Sequence, residues 1–198
     1  MKKTRISKDE YCLGIAREVA KRAVCSRRVS GAIIVRDDQI ISTGYTGSPR
    51  KTLDCSARGF CLRDQLKIPS GQRYELCRSV HAEQNVIINA GRAGVSFLGG
   101  DMYISAQSRD GKPVDAFPCF ICKKLIINAG IDRVICSSRE GNLRVFKVED
   151  WVREWQDPTR EFTDDVIQYG QGLAGLDIGR QGIEPLKIEL VEDRDPSE

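Results

Sequence analysis

The residues best suited to chemistry are one histidine and a pair of closely spaced cysteines. His81, the only histidine among the 198 residues, lies in SVHAEQNVI with Glu83 two positions later, and PCFIC contributes Cys119 and Cys122. One imidazole and two thiolates supply three zinc ligands and leave the fourth tetrahedral position to water, as in catalytic zinc sites. The sequence therefore predicts a catalytic zinc at His81, Cys119 and Cys122.

Glu83 indicates which reaction such a zinc site would catalyse. It is not needed as a ligand, and the pattern H-x-E…P-C-x-x-C, with Pro118 before the first cysteine, is typical of zinc nucleobase deaminases. In that chemistry a zinc-bound hydroxide attacks the ring carbon that carries the amino group, and the glutamate moves the proton. A purely stabilising zinc, or a core histidine beside a redox cysteine pair, leaves Glu83 and Pro118 unexplained.

The elements that must position these residues are indicated by hydrophobic periodicity. Helical spacing predicts helices over 10–23, from His81 to about 94, and over 117–130. Strands are predicted in a hairpin over 30–45 around RDDQ, and at 100–106 and 132–138. The order indicates a mixed sheet with helices on both faces. Both ligand stretches begin helices, where unpaired N–H groups and the helix dipole favour thiolates.

The last quarter of the chain carries weaker signals. After Arg144, EDWVREW (149–155) and DDVIQYGQGL (164–173) are interpreted as short helices and PLKIELVE (185–192) as a strand. We predict a deaminase-like domain over 1–148 and an acidic extension over 149–198 of unassigned role, which could complete the fold.

Charge divides along the same boundary. Residues 1–148 carry 26 Lys+Arg against 14 Asp+Glu, and the rest carry 5 against 14. A basic body favours anionic partners such as nucleotide phosphates, whereas the lack of basic patches interleaved with aromatic residues disfavours nucleic acid. No apolar run approaches a membrane span, and the basic start lacks the apolar stretch of a secretory signal. The expected compartment is the cytoplasm.

Several longer stretches resemble the deoxycytidylate (dCMP) deaminases of the cytidine deaminase-like superfamily. These are CSRRVSGAIIV, IISTGYTGSPR, IPSGQRYELCRSVHAEQN and CKKLIINAGI, within about residues 10–137. The resemblance implies a three-layer α/β/α fold with a five-stranded mixed sheet. It also implies hydrolysis of dCMP to dUMP and ammonia, commonly by a homo-oligomer. The substrate contacts implied by this resemblance are Thr46, Ala82, Arg27 and Arg139.

The remaining cysteines divide into two groups. By spacing alone, Cys25, Cys55, Cys61 and Cys77 fit four buried thiols as well as a metal site. Similar family members carry a second, structural zinc in this region, so the resemblance implies one here. Such a metal would explain how the long irregular stretch 46–79 can be ordered. Cys12 and Cys136 lie in apolar patterns and are predicted to be core residues.

Three departures from the family pattern leave the substrate open. Thr46 replaces an asparagine implicated in binding the sugar and a dCTP effector, Leu76 replaces a histidine of some relatives, and residues 106–116 are inserted. The alternatives are a deaminase of guanine, of a pterin or riboflavin precursor, or of adenosine in tRNA. A non-catalytic, zinc-stabilised module is a further alternative.

Overall fold

The computed structural model describes residues 5–69 and 72–157 of the chain. Two of the weaker sequence predictions, the helix at 164–173 and the strand at 185–192, lie outside these residues. The helices are α1 (Lys8–Ala20), α2 (Cys55–Arg58), α3 (Leu62–Gln65), α4 (Ala82–Arg92), α5 (Phe120–Asn128) and α6 (Val148–Gln156). The strands are β1 (Arg28–Arg36), β2 (Gln39–Tyr45), β3 (Asp101–Ser108), β4 (Arg133–Ser137) and β5 (Leu143–Lys147).

The strands form one mixed sheet in the order β2-β1-β3-β4-β5. Only β3 and β4 run parallel, and the other neighbours are antiparallel. The predicted hairpin is confirmed, with Asp37 and Asp38 both at positive φ in its two-residue turn. Positive φ at both central positions is the geometry that matches the twist of paired strands, and aspartate tolerates it.

The fifth strand, β5, was not found in the sequence. It pairs antiparallel with β4 at the edge of the sheet, and most of its residues are exposed. Arg144 separates Leu143 from Val145, and Lys147 follows Phe146, so the strand has no long apolar run. Short edge strands with charged residues are protected against further pairing, and for the same reason they give a weak sequence signal.

Helices cover both faces of the sheet. On one face, α1 packs Cys12, Leu13 and Ala16 against alternate residues of the central strands, including Ile33 and Tyr103. On the other face, α4, α5 and α6 pack against the intervening residues Ala32, Ile34, Met102, Ile104 and Val134. The predicted three-layer α/β/α architecture with a five-stranded mixed sheet is therefore confirmed. Cys12 and Cys136 are buried in these cores, as predicted.

Two glycines allow helices to approach the sheet closely. A Cβ atom on Gly31 would lie 2.2 Å from the carbonyl oxygen of Ala16 in α1. A Cβ atom on Gly44 would lie 2.3 Å from the backbone nitrogen of Val86 in α4. Because real Cβ contacts do not occur at such distances, these two positions set how near α1 and α4 can lie to the sheet.

The last described helix, α6, lies on the same face of the sheet as α4 and α5. Val148 and Trp151 are buried in the same cluster as α4 and α5. The domain division at residue 148 stays a prediction, but this helix is in contact with the core that precedes it. Among residues 5–69 and 72–157, no helix has the length and apolar character needed to cross a membrane.

Candidate active site

The first half of the site is held by contacts between α4 and β2. His81 is the N-cap of α4, and its backbone N–H donates to the Gln84 side chain at 2.9 Å. On the outward side of the same helix, the Asn85 and Asn89 amides donate to the carbonyls of Tyr45 (2.8 Å) and Thr43 (2.7 Å). These bonds fix the start of α4 relative to the sheet, and with it the position of His81.

The second half is the N-terminus of α5. Cys119 is the N-cap and Cys122 lies in the first turn. The chain entering this helix is attached to the sheet, because the N–H of Ala116 donates to the carbonyl of Ser137 at 2.9 Å. The two ligand stretches of the sequence therefore meet as the starts of two neighbouring helices, as predicted.

The three predicted ligands come together. The Nδ1 atom of His81 lies 3.5 Å from the Cys119 sulfur and 3.4 Å from the Cys122 sulfur. Within residues 5–69 and 72–157, this is the only group of three or more metal-binding side chains whose ligand atoms all lie within 4.8 Å of one another. A nitrogen and two sulfurs with one open side fit a zinc ion with a water position.

The thiols of Cys119 and Cys122 have pKa values shifted in opposite directions. The Cys122 thiol donates to Cys119, which lowers the pKa of Cys119 and raises that of Cys122. Burial lowers the pKa of His81, but the hydrogen bond with Cys119 and the charge of Glu83 outweigh it, so the net shift is upward. These groups already concentrate negative charge where a cation would sit, and metal binding would release the remaining protons.

Glu83 lies in the first turn of α4, beside the ligand group, with only 6% of its surface exposed. Burial raises the pKa of its carboxyl group, although the neighbouring His81 opposes the shift. A carboxyl group with a raised pKa at the edge of a metal site is suited to accepting and returning a proton.

The ligand group opens into a cavity that is rich in positive charge. The lining contains His81, Glu83 and Cys119 together with four arginines, Arg27, Arg28, Arg63 and Arg78. Among the described residues that line the cavity, Glu83 is the only acidic one. A cavity with four guanidinium groups and one carboxylate favours an anionic ligand.

The structure brings three of the four predicted substrate residues to this site. Thr46 is buried in the cavity wall, Arg27 also lines the cavity, and Ala82 is buried at the start of α4 next to His81. Arg27 also forms an ion pair with Asp64 at 3.2 Å. Arg139 is not part of the lining. Its side chain is 70% exposed and lies 3.9 Å from the carboxylate of Asp115.

Cys25, Cys55, Cys61 and Cys77 all line the same cavity. Burial raises the pKa of Cys55, and the charges of the other three raise it further. Their sulfur atoms do not form a group as compact as the ligand set at His81.

The first three inserted residues, 106–108, belong to β3, and the remaining ones form a turn that folds back on that strand instead of an open loop. The turn is closed by the N–H of Ser108, which donates to the carbonyl of Lys112 at 2.9 Å. The Arg109 guanidinium donates to the carbonyl of Cys25 at 3.1 Å, and Ala116 reaches the cavity wall. The insertion therefore forms part of one side of the site.

Sequence reasoning missed Arg28, Arg63, Tyr74 and Arg78 as lining residues. Arg28 is the arginine whose charge acts on both His81 and Glu83. Tyr74 and Arg78 lie within IPSGQRYELCRSVHAEQN, so that stretch offered a signal, whereas Arg63 lies in a short helix with no periodicity to mark it.

Curated relatives match about two thirds of the chain. The deoxycytidylate deaminase of Schizosaccharomyces pombe is 33% identical over 131 residues, which are 66% of this chain and 37% of the relative. That of Mycobacterium phage D29 is 33% identical over 132 residues, 64% of this chain and 91% of the relative. The ComE operon protein 2 of Bacillus subtilis is 32% identical over 130 residues, 66% of this chain and 59% of that protein.

Solved structures show weaker likenesses. A cyanophage S-TIM5 dCMP deaminase, in complex with dCMP and dUMP, is 21% identical, with a TM-score of 0.46 over 66% of this chain and 82% of that one. A Burkholderia pseudomallei cytidine deaminase is 16% identical, with a TM-score of 0.49; the match covers 73% of this chain and 95% of that one. The family model of the cytidine and deoxycytidylate deaminase zinc-binding region matches residues 6–138, and the chain belongs to that family.

Proposed function

We propose that this protein is a zinc-dependent nucleotide deaminase that hydrolyses dCMP to dUMP and ammonia. The observation that carries the proposal is the buried Glu83 beside the His81, Cys119 and Cys122 ligand atoms, in a cavity lined by four arginines. The deoxycytidylate deaminases of S. pombe and phage D29, each 33% identical over the matched part of the chain, support the choice of dCMP.

The metal would be held by Nδ1 of His81 and the sulfurs of Cys119 and Cys122. A zinc ion there supplies Lewis-acid activation of a water molecule. Glu83 accepts a proton from the attacking water and passes it to the ring nitrogen next to the reacting carbon. It then moves a second proton to the departing amino group, so that ammonia leaves and the ring carbonyl forms. Burial serves this role because a carboxyl group with a raised pKa exchanges protons readily near neutral pH.

The arginines of the cavity lining are the reason for proposing a nucleotide, which carries a phosphate, as the substrate. Guanidinium groups bind phosphate oxygens through paired hydrogen bonds, and Arg27, Arg28, Arg63 and Arg78 converge on one cavity. Thr46, buried in the same wall, is available to contact the sugar through its hydroxyl group.

A panel of cytosine compounds tests this function. Ammonia release is measured with dCMP, CMP, deoxycytidine and dCTP, using purified protein loaded with zinc. We expect the highest kcat/KM for dCMP. If none of the cytosine compounds turns over, the proposed function is wrong. Faster turnover of deoxycytidine than of dCMP would mean that the substrate is the nucleoside and not the nucleotide.

We further propose a structural zinc at Cys25, Cys55, Cys61 and Cys77. Its support is that all four thiols line one cavity and that the other three act electrostatically on Cys55. Metal analysis of the zinc-loaded protein should give two zinc ions per chain, and one in Cys61→Ser. A single zinc in the wild-type chain that disappears in His81→Ala would contradict this second site.

Homo-oligomerisation and a cytoplasmic location also stay proposals. The helices of the second layer expose apolar side chains, Ile88 on α4 and Ile121 and Leu125 on α5, each about two fifths to one half accessible. Contacts between copies would cover such residues. Light scattering on the full chain measures the mass directly, and a monomer at micromolar concentration would contradict the oligomer.

A further inference from the structure

The ring of His81, the only histidine of the sequence, must be oriented for its nitrogen to bind a metal. Metal-binding histidines in proteins usually donate their second ring N–H to a carboxylate, a carbonyl or water, which fixes the ring plane. The Nδ1 atom of His81 faces the two ligand sulfurs. For its other nitrogen, the part of the chain that the structure describes offers no hydrogen-bond partner. Among the described residues, the contact left to orient the ring is packing against a neighbouring side chain.

That contact is Tyr74. Its ring meets the His81 ring at 86°, with the centroids 4.9 Å apart, which is the favourable edge-to-face arrangement of aromatic pairs. Tyr74 lies in a short 3-10 turn at Tyr74–Leu76, five residues before the start of the histidine stretch, and burial raises the pKa of its phenol. Its hydroxyl group makes no hydrogen bond to any described residue, so packing defines its position.

Arg63 covers a face of the Tyr74 ring. The guanidinium carbon lies 4.7 Å from the centre of the tyrosine ring, and one guanidinium N–H donates to the carbonyl of Pro69 at 3.0 Å. Arg63 is only 6% exposed, and its buried Nε has no partner among the described residues. A desolvated guanidinium over an aromatic face is attracted to the ring more strongly than an exposed one. Arg63 therefore fixes Tyr74 more strongly than a surface arginine could.

We propose that Tyr74 and Arg63 are positioning residues for the zinc ligand His81. Tyr74 holds the imidazole plane by edge-to-face packing, and Arg63 holds Tyr74 from α3. These two contacts make the irregular stretch 46–79, which contains both residues, a determinant of zinc affinity. This inference rests on zinc binding at His81, as in the proposed function.

Zinc affinity tests the proposal without using activity. The dissociation constant is measured by chelator competition, and His81→Ala defines the signal from any other thiol site, which is subtracted. Loss of a partner that orients a metal ligand weakens metal binding by about 10–100-fold. We expect a weakening of that size in Tyr74→Leu and a smaller one, of about tenfold, in Arg63→Met, which keeps an unbranched stem and removes the guanidinium group.

Matched variants separate this role from general destabilisation. Tyr74→Phe should bind zinc as tightly as the wild type, because the ring contact is kept and the hydroxyl group has no described partner. Tyr11→Leu and Arg73→Met carry the same changes at exposed residues outside the cavity and should leave zinc affinity unchanged.

The outcomes distinguish the two proposals. If zinc binding in the wild type does not depend on His81, the metal site of the proposed function fails. If it does depend on His81 but Tyr74→Leu and Arg63→Met bind as tightly as the wild type, the positioning role is wrong and the function stands. If Tyr74→Leu does not fold, Arg63→Met alone decides. Equal losses in Tyr74→Phe and Tyr74→Leu would overturn the packing argument.

Discussion

At the scale of the residue, the proposed function assigns the proton transfer to Glu83. Replacing it with glutamine keeps the size and hydrogen-bonding capacity of the side chain but removes the group that accepts a proton. General acid–base groups contribute about 10²–10⁴-fold to rate, so we expect Glu83→Gln to lose activity on dCMP by that factor. Zinc content should stay unchanged because Glu83 is not among the three ligands.

Ammonia release and metal analysis on the same sample measure both effects. Glu75→Gln is a suitable control, because that carboxylate is exposed and does not line the cavity. Loss of zinc together with activity in Glu83→Gln would instead assign this carboxylate to metal binding.

Two arginines implied by the family resemblance occupy different places. Arg27 lines the cavity, whereas Arg139 is exposed and lies outside the lining. A hydrogen bond to a charged group contributes about 1.5–3 kcal/mol, so Arg27→Ala should lower kcat/KM for dCMP by roughly 10–150-fold. Arg139→Ala should change it by less than about twofold, as expected for an exposed ion pair.

Steady-state kinetics on dCMP and deoxycytidine resolve this comparison. Loss of activity on dCMP but not on deoxycytidine in Arg27→Ala indicates a phosphate contact. A large effect in Arg139→Ala would show that this arginine reaches the substrate from outside the cavity described here, as the family resemblance implies.

At the scale of the element, the ligand stretches were predictable, whereas several residues of the cavity lining were not. His81, Cys119 and Cys122 were identifiable because ligand spacing coincided with helix starts, a local feature of the sequence. Arg63 and Tyr74 reach the site only through the fold of the irregular stretch 46–79, where no periodicity exists to place a side chain.

Strands followed the same rule. The central strands β1 and β3 are buried on both faces and give continuous apolar runs, so their positions were predicted. The edge strand β5 is exposed, and its charged residues hide the alternation. The predicted polar loop after β3 proved to be a paired turn, because the backbone hydrogen bonds from Ser108 and Val114 depend on a return path that composition does not reveal.

The contact between α4 and β2 yields a prediction at this scale. Alanine at Gly44 would bring a Cβ atom within 2.3 Å of the Val86 backbone nitrogen, so α4 must shift away from the sheet. Overpacking of this kind costs typically about 1–3 kcal/mol. Since α4 begins next to His81, we expect Gly44→Ala to lower both the stability and the zinc affinity.

Denaturant unfolding and chelator competition measure the two quantities. Gly31→Ala creates a similar clash with α1 on the opposite face and should lower stability without changing zinc affinity in the folded protein. Gly91 also lies in α4, and nothing lies within 4 Å of the position that a Cβ atom would take there. Gly91→Ala should therefore leave the free energy of unfolding unchanged or raise it. Equal zinc affinities in Gly44→Ala and Gly31→Ala would mean that α4 does not transmit the shift to His81.

At the scale of the whole molecule, the core extends past the proposed boundary at residue 148. Trp151 on α6 is buried, and the Lys123 ammonium group of α5 lies 4.9 Å from the centre of its ring. Phe146 of β5 also packs on Trp151, with 5.8 Å between ring centroids. A separation at 148 would therefore divide one apolar cluster, and the first half of α6 is better grouped with the residues that precede it.

Net charge is the property of the whole chain that bears most directly on substrate choice. Residues 1–148 carry 26 basic against 14 acidic residues, and the cavity concentrates four of those arginines around a single carboxylate. Such a field attracts a doubly charged nucleotide and raises its association rate by about 10–10³-fold, an effect that salt screens. We expect kcat/KM for dCMP to fall several-fold between about 0.01 M and 0.15 M salt.

Deoxycytidine is the matched substrate for this measurement, because it lacks the phosphate and presents the same base and sugar. Its kcat/KM should change by less than about twofold over the same salt range, and sucrose at equal osmolarity should affect neither compound selectively. An equal decline for both substrates would place the salt effect on the protein and not on the phosphate. Long-range attraction of the phosphate would then be absent, and only direct contacts from Arg27 and the neighbouring arginines would support dCMP as the substrate.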